Sequence, residues 1–361
     1  MEILSAGITA FYLHDVADQI DLARLRATTG VGAEARLKAR QASSYLQYQT
    51  PPLVMDGEDV GVGPIEGFRC RLKFFDYGVV SLALSRPFAG SWTDLIGASQ
   101  QYIENDAIEA QAEAAVRAVV TRCSAAMTKV RERYLTEDYL VVAITELRER
   151  LTGEELVARR AVELALILRG ERQPLSGQEQ EEVLRNRMSY LATDLIIPTW
   201  NAAIIYDTEA GAGAALELFE FANSQLLEFR YYDDLLDTEL ARIYPLLQRA
   251  TWWKNLVGRG YIRAANQLHS LFIDVNEITD RTDNALKIVG DIYAARVFNL
   301  AAARLGVPRW KQSVEDKLET LDDVYRFAVE QVAISRGQFL ELTVILILVL
   351  ELVLFFLGIM R

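Results

Sequence analysis

Histidine and cysteine are nearly absent from this 361-residue chain, which has two of each. Cys70 and Cys123 cannot build a disulfide framework or a cysteine metal cluster, and they fit a reducing compartment. A Ser-His-Asp or Cys-His arrangement would have to use His14 or His269, and neither sits in a motif. The Gly-Lys-Ser/Thr of a P-loop and the third glycine of a dinucleotide fingerprint are also missing. Basic residues are in deficit, 38 against 50 acids for a net charge of −12. That excludes a general nucleic-acid binder, which needs a clustered cationic surface. The opening MEILSAGITAFYLHDVADQ has no Lys or Arg, so neither a secretory signal nor a mitochondrial presequence is expected. These absences point to a cytosolic bulk and a prokaryotic source.

What is present is apolar mass, 51% of the chain against 24% charged, enough for a substantial core. Phe339 to Arg361, FLELTVILILVLELVLFFLGIMR, is the longest apolar run, broken after Leu342 only by Glu351. Its length meets the ~20 residues a membrane helix needs, and it predicts a single C-terminal transmembrane anchor. The expected localisation is then the cytoplasmic membrane, with the bulk of the chain on its cytoplasmic side. A carboxylate near the middle of an anchor needs a polar partner, so Glu351 predicts contact with a second copy. Glu341 and Phe339 flank that contact.

Upstream, Ala6–His14, Arg36–Thr50, Phe68–Pro87 and Asp138–Thr145 read as strands. Helical stretches lie at Asp15–Ala27 and Trp92–Arg133. The order β-α-β-β-α-β is the split unit of a ferredoxin-like sandwich. Further on, Ser176-x-x-Glu179 suggests a capping box, and Ala192–Asp207 reads as a strand interrupted or edge-placed by Pro198. After Gly213 the chain reads as all helix. Apolar residues run Leu271, Val275, Ile278 and onward, then Val314, Leu318, Leu321, Tyr325 and onward to Phe339, at spacings alternating four and three. Gly306-Val-Pro308 breaks between them, and Ser313 is placed to cap the second helix. The expected architecture is α+β: a ferredoxin-like antiparallel-sheet head over 1–210, a helical region with a coiled-coil-like hairpin stalk over 211–338, and the anchor over 339–361.

Three blocks carry a family resemblance: DYGVVSLAL at Asp76–Leu84, ATDLIIPTWNAAIIYD at Ala192–Asp207 and LEFRYYDDLLDTE at Leu227–Glu239. With an apolar C-terminal segment flanked by Glu341 and carrying Glu351, their order resembles the required-for-meiotic-nuclear-division family, or domain of unknown function 155. Leu340-Glu341-Leu342 stands where that family has Leu-Glu-Trp. Glu228-Phe229-Arg230-Tyr231 stands where it has a Leu-Arg-Lys-Tyr-like block. The resemblance is thus to a divergent branch. It implies self-association, no established enzymatic activity, and a link to translation, because a mitochondrial inner-membrane member supports ribosomes there.

Local chemistry adds a few candidates. Arg36, Lys38 and Arg40 alternate on one expected strand, and Arg69, Arg71 and Lys73 on another. Side chains two apart share a strand face, so paired strands would form a basic ribbon, with Tyr45 and Tyr48 nearby, able to take RNA or another polyanion. The alternative is a solvated face balanced by Asp56, Glu58, Asp59 and Glu66. Glu209–Ala215, EAGAGAA, enters a helix and could cradle an anion or be a plain flexible link. Asp274, Asn276, Asp280 and Asp283 lack calcium-loop spacing, and Asp233, Asp234 and Asp237 read as a helix start, so no metal, cofactor or catalytic residue is expected. The leading expectation is a membrane-anchored homo-oligomeric scaffold that tethers translation machinery or another cytosolic partner. The alternative is an enzyme or sensor that binds a phosphorylated small ligand at 209–215.

Overall fold

A computed structural model of the chain describes residues 2–29, 50–103, 105–248 and 292–356, excepting the side chains of 243–248, 328–329, 331–333, 335–336, 338–339 and 355–356. Two compact units emerge, one of 1–231 with 281–310 and one of 232–280 with 311–361.

The first unit is built on a seven-stranded mixed sheet in the order β3-β4-β5-β1-β7-β9-β8. Its strands are β1 (Ile3–Asp15), β3 (Leu53–Asp56), β4 (Arg69–Phe74), β5 (Val79–Gly90), β7 (Leu135–Leu147), β8 (Leu195–Pro198) and β9 (Ala202–Tyr206). A short pair, β2 (Gln19–Ile20) with β6 (Met127–Thr128), lies apart. From β3 to β7 every pairing is antiparallel, whereas β7 and β9 run parallel. The expected all-antiparallel head is therefore corrected to a mixed α/β sheet. The parallel pair arises because β7 returns to β9 through two helices and the β8 strand rather than through a tight turn.

Both faces of the sheet are covered, so β1 reads as an almost unbroken apolar run, ITAFYLH. One face carries α2 (Trp92–Gln100), α3 (Asp106–Cys123), α4 (Gly153–Arg169) and α5 (Gly177–Arg185). Ile8, Ala10, Leu72, Leu82, Val142 and Ile204 pack there with Leu95, Val116 and Leu164. A short helix, α1 (Leu22–Thr29), buries Leu22 and Leu25 in the same core. Capping fixes these helices in place. Ser91 with Asp94 and Thr152 with Glu155 form reciprocal capping boxes, and Asn105 accepts from Ala107 and Ile108 backbone N–H groups at the start of α3. The opposite face is covered by the first part of α6 (Glu209–Gln248) and by α7 (Ile292–Leu305). There Tyr139 stacks on Phe219 at 5.7 Å and Phe221 meets Phe298 at 5.5 Å.

Several expectations shift in position. The strand read as Phe68–Pro87 is the β4–β5 hairpin, turned at Asp76–Gly78, where Gly78 has φ +98°. A Cβ there would meet the Ala17 carbonyl oxygen at 1.8 Å, so glycine is required. Pro198 ends β8, and Ala192–Asp207 is a hairpin. Ser176 caps α5 through the Glu179 N–H.

The second unit contains the C-terminal part of α6 and most of α8 (Val307–Phe356). Val314, Leu318 and Leu321 are buried at four-three spacing. Lys317 bonds Asp233 and Asp237, each at 2.7 Å. Ser313 does not cap a helix, because α8 begins at Val307; its hydroxyl donates to Asp233 at 2.6 Å instead. The expected hairpin partner, 271–291, lies outside the described residues.

The transmembrane expectation is corrected. No helix, among the described residues, is long and apolar enough to cross a membrane. On α8 the charge-free stretch between Glu341 and Glu351 is Leu342–Leu350. At ~1.5 Å per residue it covers about 14 Å, against ~30 Å of hydrocarbon. Residues 357–361, where the rest of the expected anchor falls, are outside the described residues. The tail anchor, the bilayer as partner and the membrane localisation are withdrawn with it.

Candidate functional site

The N-terminal ends of β1 and β4 open into a cleft of about 1060 Å³. Alternation along β1 turns Ser5, Gly7 and Thr9 to the face that α6 covers further on. At this end α6 is only beginning, and Glu209, Ala212, Gly213 and Leu216 form one wall. Hydroxyl pairs line the floor: Thr9 Oγ1 lies 3.1 Å from Ser85 Oγ, and Thr145 Oγ1 donates to Ser5 Oγ at 2.8 Å.

Two arginines border the cleft. Arg69 is exposed and makes no ion pair among the described residues. Arg86 lies over the Phe68 ring at 4.8 Å and likewise has no carboxylate partner among them. Asp56, Glu58 and Glu209 also line the wall, so the cleft offers both cationic and acceptor groups.

The glycine-rich segment forms the first two turns of α6, not a flexible link. Thr208 caps it: the Gly211 N–H donates to Thr208 Oγ1 at 3.2 Å, and the Thr208 N–H donates to Asp207 Oδ1 at 2.6 Å. A Cβ on Gly211 would meet Asp207 Oδ2 at 2.0 Å, so a side chain there would require the Asp207 carboxylate to turn away. Gly213 has open space around it.

The expected basic row on β4 is split by α6. Arg69, Arg71 and Lys73 share a strand face, but Lys73 is 3% exposed and ion-paired with the buried Glu220. Burial pushes the Glu220 carboxyl up, yet Lys73 and Arg71 outweigh it and hold Glu220 below the usual carboxylate range. Glu217, half-buried beside the same two cations, is raised by burial. Only Arg69 of the row reaches the cleft. Arg36, Lys38, Arg40, Tyr45 and Tyr48 lie outside the described residues, as do His269 and the Asp274–Asp283 cluster.

The far end of β1 is closed. Both ring nitrogens of His14 are buried without a hydrogen bond, and burial lowers its pKa to about 4. Asp15 bonds Arg131 Nε at 2.7 Å, and Asp18 bonds Arg131 Nη1 at 2.6 Å. Burial pushes the Asp15 carboxyl up to about 6 against the pull of Arg131. The Arg131 guanidinium lies 3.9 Å from the Tyr231 ring centre.

In the second unit Glu341 and Glu351 are exposed on α8, and Phe339 lies on the same helix with its side chain outside the described set. No group of three or more potential metal-ligating side chains occurs among the described residues. Sequence reasoning missed Arg86 and the paired hydroxyls, which belong to no named motif. The usable signal was alternation, which puts Ser5, Gly7 and Thr9 on one face of β1.

Fold and site together define a mixed α/β protein with an open cleft at one end of a covered sheet. A family model described as "Uncharacterized protein MJ0711, N-terminal domain" matches residues 5–212, more than half of the chain, and the chain belongs to that family. A relative, "Uncharacterized protein MJ0711" of Methanocaldococcus jannaschii, is 26% identical over 194 residues, covering 53% of this chain and 58% of the relative. The matched part thus spans somewhat over half of that relative's length. No solved structure matches the chain. The comparisons do not confirm the resemblance to the required-for-meiotic-nuclear-division family.

Proposed function

We propose that the chain is a ligand-binding protein whose cleft takes a small phosphorylated molecule that also carries hydroxyl groups. The observation that carries this reading is convergence: Arg69, Arg86 and the amino end of α6 border one cavity. Arginine forks and helix N-termini are the usual partners of phosphate oxygens. Asp56, Glu58 and Glu209 would accept hydrogen bonds from the ligand's hydroxyls. No catalytic role is assigned to any residue.

Thermal denaturation with pyrophosphate, a hexose phosphate and a nucleoside monophosphate tests this. A ligand at a hundred times its Kd stabilises by about 2.7 kcal/mol. At least one probe should raise the melting temperature, and the gain should vanish in Arg69→Ala/Arg86→Ala. No shift with any of the three would overturn the reading.

A second reading, a self-associating scaffold, is supported by α8. From Leu340 to Val353 the exposed side chains include Leu340 at 65% and Leu346 at 65%, more contiguous apolar surface than a lone chain usually shows. The occupant would be a second copy of the chain. Light scattering should then show at least two chain masses, reduced by Leu346→Glu; a single chain mass refutes it. A link to translation machinery rests on the resemblance alone and is not part of this reading.

A further inference from the structure

The floor of the arginine-bordered cleft is bare at its centre. Gly7 on β1 stands opposite Pro87 of β5 on one side and Ala143 of β7 on the other, and all three line the cavity. Strands lie ~4.8 Å apart, so this row spans about 10 Å across the sheet. Its side chains carry no hydrogen-bonding group, and Gly7, paired on both sides, spends its backbone groups within the sheet. Leu216 of α6 continues the apolar lining up one wall. Glycine weakens a strand interior and usually marks a bulge, a bend or a close approach by another group. The register shifts of β1 end at Ala6, the φ of Gly7 is not positive, and a Cβ built there meets nothing within 4 Å. Neither backbone conformation nor packing accounts for this glycine. What a side chain would remove is open space over the cleft floor.

The rows on either side are polar. Two residues along β1, about 7 Å away at ~3.4 Å per residue, Thr9 and Ser85 share one hydrogen bond, and Arg69 stands opposite Ser85 on β4. Two hydroxyls that share one bond keep one O–H donor between them. Among the described residues that donor has no protein acceptor, although Thr9 is only 7% exposed. With the Arg69 guanidinium beside it, this row is a set of donors that lacks acceptors. Toward the other end, Thr145 donates to Ser5 Oγ, which leaves the Ser5 hydroxyl hydrogen unspent in the same way.

We propose that the phosphorylated ligand of this cleft is a nucleotide, with its phosphate on Arg69 and the Thr9–Ser85 pair and its base flat over Gly7, between Pro87 and Ala143. This inference rests on the phosphate reading above and narrows it. A sugar set on the bare row would leave its hydroxyls without side-chain partners, which is costly; the face of a base needs none. The polar edge of the base meets the Ser5–Thr145 pair. An acyl chain fits less well, because hydroxyls rather than apolar side chains close both ends of the row.

Titration calorimetry of the full chain with adenosine 5′-monophosphate, uridine 5′-monophosphate and ribose 5-phosphate tests the proposal, since the last has the same phosphate and sugar and no base. At least one nucleotide should bind about tenfold tighter than ribose 5-phosphate, the yield of burying one ring face. Gly7→Val fills the floor and should erase that advantage while pyrophosphate binding is retained; Gly7→Ala should fall between. The melting temperature of Gly7→Val should not drop, because the space is open and a β-branched residue suits a strand. A large drop would overturn the premise of an open floor. Nucleotides that bind no better than ribose 5-phosphate refute the base site and leave phosphate binding standing. Gly7→Val that weakens pyrophosphate as much as the nucleotide also refutes it. If no probe binds, pyrophosphate included, this inference and the phosphate reading fall together.

Discussion

Arg69 and Lys73 stand on the same face of β4, four residues apart, and have opposite surroundings. Arg69 opens into the cleft, whereas Lys73 is buried against Glu220. β1 repeats the contrast on one face, with Ser5 and Thr9 lining the cleft and Asp15 fully buried. The difference comes from α6, which begins at Glu209 beside the cleft and buries Leu218, Phe219 and Glu220 further along. Charge at the closed end of the sheet holds the fold, and charge at the open end is available to a ligand. A residue pattern alone does not separate these roles; the helix that crosses the strand does.

The sharpest way to break this comparison is at the closed end. Lys73→Met removes the ion-pair partner of buried Glu220, with Arg71 the remaining cation beside it, and should destabilise the chain by about 3 kcal/mol in urea unfolding. Lys73→Met/Glu220→Leu should recover most of that loss. If Lys73→Met costs no more than a surface substitution, the closed end is not closed.

His14 gives the next largest effect. Its pKa is lowered to about 4 in the folded chain, against ~6.5 when unfolded. The unfolded chain therefore takes up a proton first as pH falls, and stability is lost between about pH 6.5 and 4, by up to ~3 kcal/mol. Asp15, raised to about 6, has the opposite sign: its contribution to stability grows as pH falls below 6. His14→Leu, which abandons no hydrogen bond, should thus gain stability relative to the parent chain as pH drops through this window. An unchanged difference from pH 7 to pH 4 would contradict the burial of a neutral imidazole.

At the open end the effect of Arg69→Ala on unfolding should be within about 0.5 kcal/mol, as for an exposed residue without partners. Gly213→Ala should give a small gain, about 0.5–1 kcal/mol, since the helix has room for the methyl group. A loss instead would mean that the wall of the cleft is tighter than the open surroundings of Gly213 indicate.

Much of the sheet was legible in the sequence. Continuous apolar runs marked β1 and β7, and Gly306-Val-Pro308 marked the break between α7 and α8, where Gly306 takes φ +78°. The Asp76-Tyr77-Gly78 turn was also visible but was submerged in the strand signal on both sides. Two kinds of feature were not legible. The parallel β7–β9 pairing depends on where a chain returns after two helices, which no local pattern records. The apolar run near Glu351 reads as an anchor by composition, but Glu341 and Glu351 limit its charge-free part to Leu342–Leu350. The cleft was half legible: Arg69 and the 209–215 segment were singled out, but their meeting with Arg86, Thr9 and Ser85 is long-range.

The account turns on the open end of the sheet, and titration calorimetry with pyrophosphate tests it most directly. The parent chain should bind with favourable heat. Arg69→Ala should weaken binding about tenfold or more, as expected for loss of a charge-assisted contact, with Lys73→Met/Glu220→Leu close to the parent affinity. Pyrophosphate binding that is absent, or that is indifferent to Arg69 and sensitive to the Lys73–Glu220 pair, would contradict the assignment of ligand binding to the open end.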